Sequence, residues 1–149
     1  MNKVLITGGA GFVGTALIRK LIRKYKNIEI VSIDNYSSGY KRNHVKSKKV
    51  KYFNKDTQTL IPKKFVVDGT KMDYADSFEP DVVFHFGEFS RIVTSFNSFD
   101  KCWDYNMQGT KMVLDYCVAK KAKLIYSASS SKFGNDGKDE NLSPYAWMK

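Results

Sequence analysis

Three glycines spaced three apart, Gly8, Gly11 and Gly14, follow directly on the short apolar run Lys3-Val4-Leu5-Ile6-Thr7 and open an amphipathic stretch. A β-branched and aliphatic run that stops at glycine reads as a strand ending in a tight turn. Beyond the turn, Val13, Ala16, Leu17, Leu21 and Ile22 recur at helical spacing while Arg19, Lys20, Arg23 and Lys24 fall on the opposite face, which predicts a helix over residues 11–25. Asn27 closes it, and Ile28-Glu29-Ile30-Val31-Ser32-Ile33 forms a second strand that stops at Asp34-Asn35. Strand, helix and strand in so few residues make a βαβ unit, whose strands are parallel.

The spacing G-x-x-G-x-x-G differs from the commoner G-x-G-x-x-G, but each glycine has a physical task. One makes the turn out of the strand, one lets backbone approach a pyrophosphate, and one packs helix closely on sheet. The first N–H groups of the helix have no partner within it, and together with the helix dipole they favour an anion. Asp34 stands 20 residues after Gly14 at the end of the second strand, where a carboxylate accepts from ribose hydroxyls and repels a 2′-phosphate. These features together point to a dinucleotide site that prefers NAD to NADP. The plainer reading is that Asp34 caps a turn with Asn35, and Lys41 and Arg42 nearby soften the discrimination.

The rest of the chain extends this pattern. Val50-Lys51-Tyr52-Phe53 and Phe65-Val66-Val67 both qualify as a third strand, and the sequence does not choose between them. Asp81-Val82-Val83-Phe84-His85-Phe86 reads as a buried strand ending at Gly87. A long helical pattern over 99–120 has Met107, Val113, Leu114 and Val118 among its apolar positions, and Lys123-Leu124-Ile125-Tyr126-Ser127 is the last clear strand before a polar loop to Pro144. Strands alternating with helices predict a parallel sheet covered on both faces. At 149 residues, with 42% hydrophobic and 14% aromatic residues, the chain is one domain with enough apolar surface for a core, which excludes a disordered or collagen-like protein.

The 25 Lys and Arg against 15 Asp and Glu give a net charge of +10, which raises the question of nucleic acid. The lysines are spread along the chain, densest at 41–51 and 120–123, without an aromatic-interleaved basic motif, so no specific nucleic-acid partner is expected. No apolar run approaches the roughly 20 residues of a membrane span, and the N-terminal residues turn polar too soon for a signal peptide. The expectation is a cytoplasmic protein without a membrane partner. Cys102 and Cys117 would lie about 22 Å apart on one helix, too far to bridge, and read as buried small hydrophobes.

Tyr145 and Lys149 stand four apart, on one face if helical. A free phenol, with a pKa of about 10, is a poor base near neutrality, and a neighbouring ammonium and a cationic nicotinamide ring both favour the phenolate. Such a tyrosine takes a proton from a sugar hydroxyl.

On these residues the sequence resembles the extended short-chain dehydrogenase/reductases, within them the NAD-dependent nucleotide-sugar epimerases and dehydratases, and most of all the UDP-glucose 4-epimerases. Thr7-Gly8-Gly9-Ala10-Gly11-Phe12-Val13-Gly14 resembles T-G-x-x-G-x-x-G, and Asp34-Asn35-Tyr36-Ser37-Ser38-Gly39 resembles D-N-x-x-x-G. His85-Phe86-Gly87 is similar to H-x-A/G, Asn106-Met107-Gln108-Gly109-Thr110 to N-x-x-G-T, and Pro144-Tyr145-Ala146-Trp147-Met148-Lys149 to P-Y-x-x-x-K. The stretch from Tyr126 through Ser127 to Phe133-Gly134 resembles the serine-rich strand end that supplies a catalytic hydroxyl, which falls on Ser129 with Ser130 as its nearest competitor.

The resemblance implies an α/β fold, a Rossmann-type doubly wound parallel sheet, truncated before the last strands and the substrate domain, over residues 1–149. It implies Ser129, Tyr145 and Lys149 as catalytic residues acting on a nucleotide-sugar with NAD as cofactor. It places Gly8, Gly11, Phe12, Val13, Gly14, Asp34, Asn35, Ser38 and Gly39 on the cofactor, joined by Thr57, Phe86, Gly87, Asn106, Ser127, Tyr145 and Lys149. Asp56 or Asp68 meets the adenine, according to which third strand forms, with Asp56 favoured. Glu88 and Arg91 fall near a cofactor or substrate phosphate, and a surface ion pair explains them about as well. Family members are much longer, so the expectation is a cofactor-binding domain with little or no turnover alone, self-associating or working with a partner chain. A 4,6-dehydratase is the alternative enzyme and a nucleotide-responsive interaction module the alternative of another class. Ser130 and Ser131, where the dehydratases place acidic residues, favour the epimerase.

Overall fold

The computed structural model describes residues 1–61, 70–134, 138 and 142–149. Five strands, β1 (Lys3–Thr7), β2 (Glu29–Asp34), β3 (Val50–Asn54), β4 (Val82–His85) and β5 (Lys123–Tyr126), form one sheet in the order β3-β2-β1-β4-β5. Every pairing is parallel, with Leu5 opposite both Val31 and Val83. The third strand is therefore the stretch beginning at Val50, and its competitor at 65–67 lies outside the described residues.

The sheet order reverses between β2 and β4, on either side of β1. Chain leaves β1 and β4 in opposite directions there, and a crevice opens at their carboxyl ends. The near-continuous apolar runs of β1 and β2 are explained by burial on both faces. Val4 and Ile6 of β1 and Ile30 of β2 pack with Ile18 and Leu21 of α1 (Phe12–Lys24) on one face. Leu5, Val31, Ile33 and Val83 pack on the other face with Leu60, Ala75 of α2 (Tyr74–Ser77) and Phe78. Val113, Tyr116 and Cys117 complete that layer, and the fully buried Tyr116 hydroxyl donates to the carbonyls of Ala75 (2.9 Å) and Phe78 (2.7 Å).

A short helix that the periodicity did not signal, α3 (Ile92–Asn97), follows β4, and α4 (Phe99–Trp103) opens the predicted helical stretch. The long pattern over 99–120 is not one regular helix. Between α4 and α5 (Gly109–Lys120) the backbone makes a π-helical turn over Asp104–Gln108. That extra residue per turn rotates the faces, so of the four apolar positions only Val113 is buried, while Met107, Leu114 and Val118 are 36%, 47% and 72% exposed. Cys102 and Cys117 are both buried. No described helix is long and apolar enough to cross a membrane. The last helix, α6 (Pro144–Trp147), begins with Ser143, whose Oγ accepts from the Ala146 amide at 3.0 Å, and has proline in its first turn, where no N–H is required.

Candidate functional site

A cleft of about 370 Å³ runs along the carboxyl ends of the strands, and its floor is made where β1 and β4 release the chain. Gly8 has φ +69°, and a Cβ there would stand 2.8 Å from the Gly87 amide nitrogen, so the two loops touch backbone to backbone. A Cβ on Gly14 would meet the Gly8 carbonyl oxygen at 2.4 Å, which is why the helix can lie against the turn only with glycine at that place. No side chain caps α1 at Gly11, leaving the amides of its first turn directed at the cleft. Phe12 and Val13 begin the helix 90% and 56% exposed, and both line the cleft with Gly8, Gly11 and Gly14. A bare turn, an uncapped helix start and no acidic residue in the first turn are what a pyrophosphate requires, so the residues present fit the dinucleotide.

At the end of β2, Asp34 is only 8% exposed. Its Oδ2 accepts from the Ala10 amide at 2.9 Å and its Oδ1 from the Tyr36 amide at 2.8 Å. The turn-capping role and the ribose role are thus compatible, since each carboxylate oxygen keeps a further lone pair. Tyr36 pays for this turn with φ +58°, a left-handed conformation uncommon for a bulky residue. Asn35, Ser38 and Gly39 line the cleft beside Asp34, and so does the nearly buried Thr57. Asp56 does not line it; its Oδ1 accepts from Asn35 Nδ2 at 2.6 Å and so holds a lining residue instead. Asp68 lies outside the described residues. Lys55 lines the cleft, but its ammonium is bound to Asp73 and Asp76 at 2.9 Å each.

The other end is built from side chains. Phe86, Gly87, Ser127, Tyr145 and Lys149 all line the cleft there. Tyr145 is positioned by α6, with its amide donating to the buried Ser95 Oγ at 3.2 Å. Lys149 donates to the Ser127 carbonyl at 2.7 Å and forms an ion pair with Glu88, the two side chains being 6% and 2% exposed. Glu88 therefore pairs with Lys149 inside the cleft, and the surface-pair alternative with Arg91 does not hold. Arg91 lines the same cleft as an exposed residue at the start of α3.

Glu88 also accepts on Oε1 from Thr110 Oγ1 and from the Tyr126 hydroxyl, at 3.0 Å each. Burial pushes its carboxyl above the usual carboxylate range, against the pull of Lys149, Thr110 and Tyr126. The Tyr126 phenol is pushed upward as well, mainly by burial and then by Glu88. Beneath them His85 is wholly buried, and desolvation followed by the Lys149 charge lowers its pKa to about 4.

Like Asp56, two further expected residues stand apart from the cleft. Ser129 is half-buried, and its Oγ contacts Ser131 Oγ at 2.8 Å and accepts from the Ser131 amide at 3.3 Å, capping the 3-10 turn Ser130–Phe133. Asn106 is 2% exposed within the π turn, where Oδ1 accepts from the Phe89 amide at 2.7 Å and Nδ2 donates to the Phe89 carbonyl at 3.2 Å. It holds the loop that carries Glu88. The signals for Thr110, Tyr126 and Glu88 were faint, because one buried carboxylate gathers them from three separate elements.

This architecture recurs in solved proteins. A UDP-glucose 4-epimerase from Thermotoga maritima, solved with UDP-glucose, superposes on 99% of this chain with a TM-score of 0.80 at 21% identity, and the chain covers 47% of it. A Bordetella bronchiseptica enzyme in complex with NAD gives a TM-score of 0.80 at 22% identity, with 99% of this chain and 46% of that one aligned. Among curated relatives, a dTDP-D-glucose 4,6-dehydratase of Dictyostelium discoideum is 28% identical over 96% of this chain and 33% of its own length. The chain thus spans between a third and a half of the length of these proteins. The model of the family described as NAD dependent epimerase/dehydratase matches residues 4–149, nearly the whole chain. With the glycine turn, the parallel sheet and the cleft at its switch point, the chain belongs to the NAD dependent epimerase/dehydratase family.

Proposed function

We propose that this chain is the NAD-binding half of a nucleotide-sugar epimerase acting at the sugar C4, as in the UDP-glucose 4-epimerases. The observation that carries the reading is the single cleft lining that joins the glycine turn, Asp34, Tyr145 and Lys149. The amides that open α1 hold the pyrophosphate, Asp34 accepts from the ribose hydroxyls, and Phe86 and Gly87 line the floor. The bound nicotinamide supplies hydride acceptance and return. Tyr145 takes the proton from the C4 hydroxyl and returns it to the same oxygen once the keto sugar has turned its other face, while Lys149 donates to the nicotinamide ribose. Ser129 shares the developing charge in this scheme, its hydroxyl turning from Ser131 to the sugar oxygen.

The chain spans less than half of its relatives, and we place its own turnover at little or none. The exposed Phe96, Phe99, Trp103 and Trp147, at 60%, 49%, 36% and 52%, favour self-association or a partner chain. The experiment is an equilibrium titration with UDP-glucose and NAD, following both binding and UDP-galactose formation. Dinucleotide binding with at most trace epimerisation is expected. Failure of NAD to bind, or water elimination from the sugar instead of epimerisation, would overturn the reading, the second in favour of a dehydratase.

A further inference from the structure

Resting on the reading of the cleft as a dinucleotide site, we propose that Glu88 is a positioning residue. It carries the Lys149 ammonium, neutralises it, and ties it through a buried hydrogen-bond chain to the glycine turn, so that Lys149 works as an oriented donor and not as a free cation. The direction of that chain is fixed by its far end. Thr7 Oγ1 already accepts from the Phe86 amide (3.1 Å) and the Gly87 amide (2.8 Å), so its O–H donates to His85 Nδ1 at 2.6 Å. His85 is neutral, and its Nε2–H therefore donates to Thr110 Oγ1 at 3.0 Å. The Thr110 hydroxyl then has its own proton for Glu88 Oε1 at 3.0 Å.

Every donor at Glu88 thus converges on an ionised carboxylate: the Thr110 and Tyr126 hydroxyls and the Lys149 ammonium. The titratable groups that face it are Lys149, Tyr126, His85 and the Cys102 thiol, of which only Lys149 is a cation. Gly87, at the other end of the chain, packs directly on Gly8. A change at Glu88 accordingly has a path of direct hydrogen bonds from the reactive end of the cleft to its phosphate-binding floor.

The test is nuclear magnetic resonance of the chain with 15N-labelled lysine side chains. Wild type should show a protected Lys149 ammonium resonance, assigned by its absence in Lys149→Arg. It should vanish in Glu88→Gln and persist, displaced, in Thr110→Val, which breaks the chain without altering the charge. The Gly87 amide should move in Thr110→Val, which leaves its peptide neighbour Glu88 untouched. As pH is lowered through the Glu88 titration, the ammonium and Gly87 signals of wild type should change together. An ammonium signal missing from wild type or unchanged in Glu88→Gln overturns the proposal, as does a Gly87 amide that ignores Thr110→Val. Should Glu88→Gln not fold, the wild-type pH titration and Thr110→Val decide alone. A protein that shows these signals but binds no NAD would refute the dinucleotide reading and leave the Glu88 assignment standing.

Discussion

The two ends of the cleft solve the same problem with different materials. At the phosphate end the ligand would meet bare backbone: the turn at Gly8, the uncapped amides of α1 and a carboxylate that also braces the turn. At the lysine end it would meet side chains, Glu88, Tyr145 and Lys149 among them, assembled about a buried ion pair that Thr110 of α5 and Tyr126 of β5 brace from behind. The backbone end depends on the absence of atoms and is intolerant of any addition. The side-chain end depends on compensated charge and is intolerant of any imbalance.

The largest effect should come from filling the backbone end. Gly14→Ala forces a methyl to within 2.4 Å of the Gly8 carbonyl, and we expect a loss of about 3 kcal/mol in urea denaturation together with loss of dinucleotide binding. Retention of both would show that the turn adapts and that the contrast between the two ends is false.

At the side-chain end the corresponding experiment is acid. His85 has its pKa lowered from 6.5 to about 4, so on acidification the unfolded chain takes up a proton before the folded one does. Its contribution, about 3 kcal/mol for a shift of that size, is fully present above 6.5 and is lost progressively as pH falls toward 4. Thermal unfolding followed across that window should show the slope, and His85→Gln should abolish that part of it. A flat profile would mean that water reaches the histidine.

Smaller effects sharpen the comparison. Asp34→Asn keeps an oxygen for one brace but removes the charge, and should erode the preference for NAD over NADP by about tenfold, or about 1.4 kcal/mol, in paired binding titrations. Phe12→Ser, at a residue 90% exposed, should leave stability within about 0.5 kcal/mol in chemical denaturation while weakening cofactor binding.

The same contrast explains what could be read from the chain. The backbone end was legible because its signals are local: glycine spacing, a strand on either side and Asp34 at a fixed separation. The parallel sheet followed from the alternation of elements, whereas its order and the choice of β3 needed the strand pairing, Val50 against Ile30 included. The side-chain end was legible in its lining members Phe86, Gly87, Ser127, Tyr145 and Lys149 but not in the hydrogen-bond cluster behind them. Glu88 was open between a place near a phosphate and a surface ion pair, because nothing near it in sequence reveals that Thr110 and Tyr126, 22 and 38 residues away, enclose it. Ser129 and Asn106 were assigned to the cleft by resemblance, yet they brace local backbone, and the π turn that turns Leu114 and Val118 outward has no signature in apolar periodicity.

The most direct measurement is calorimetric titration of the purified chain with NAD and, in parallel, with NADP. Binding of NAD with clearly weaker binding of NADP is the predicted result. No binding of either, or preference for NADP, would contradict the account at its centre, because the glycine turn and Asp34 would then lack the role their geometry supports.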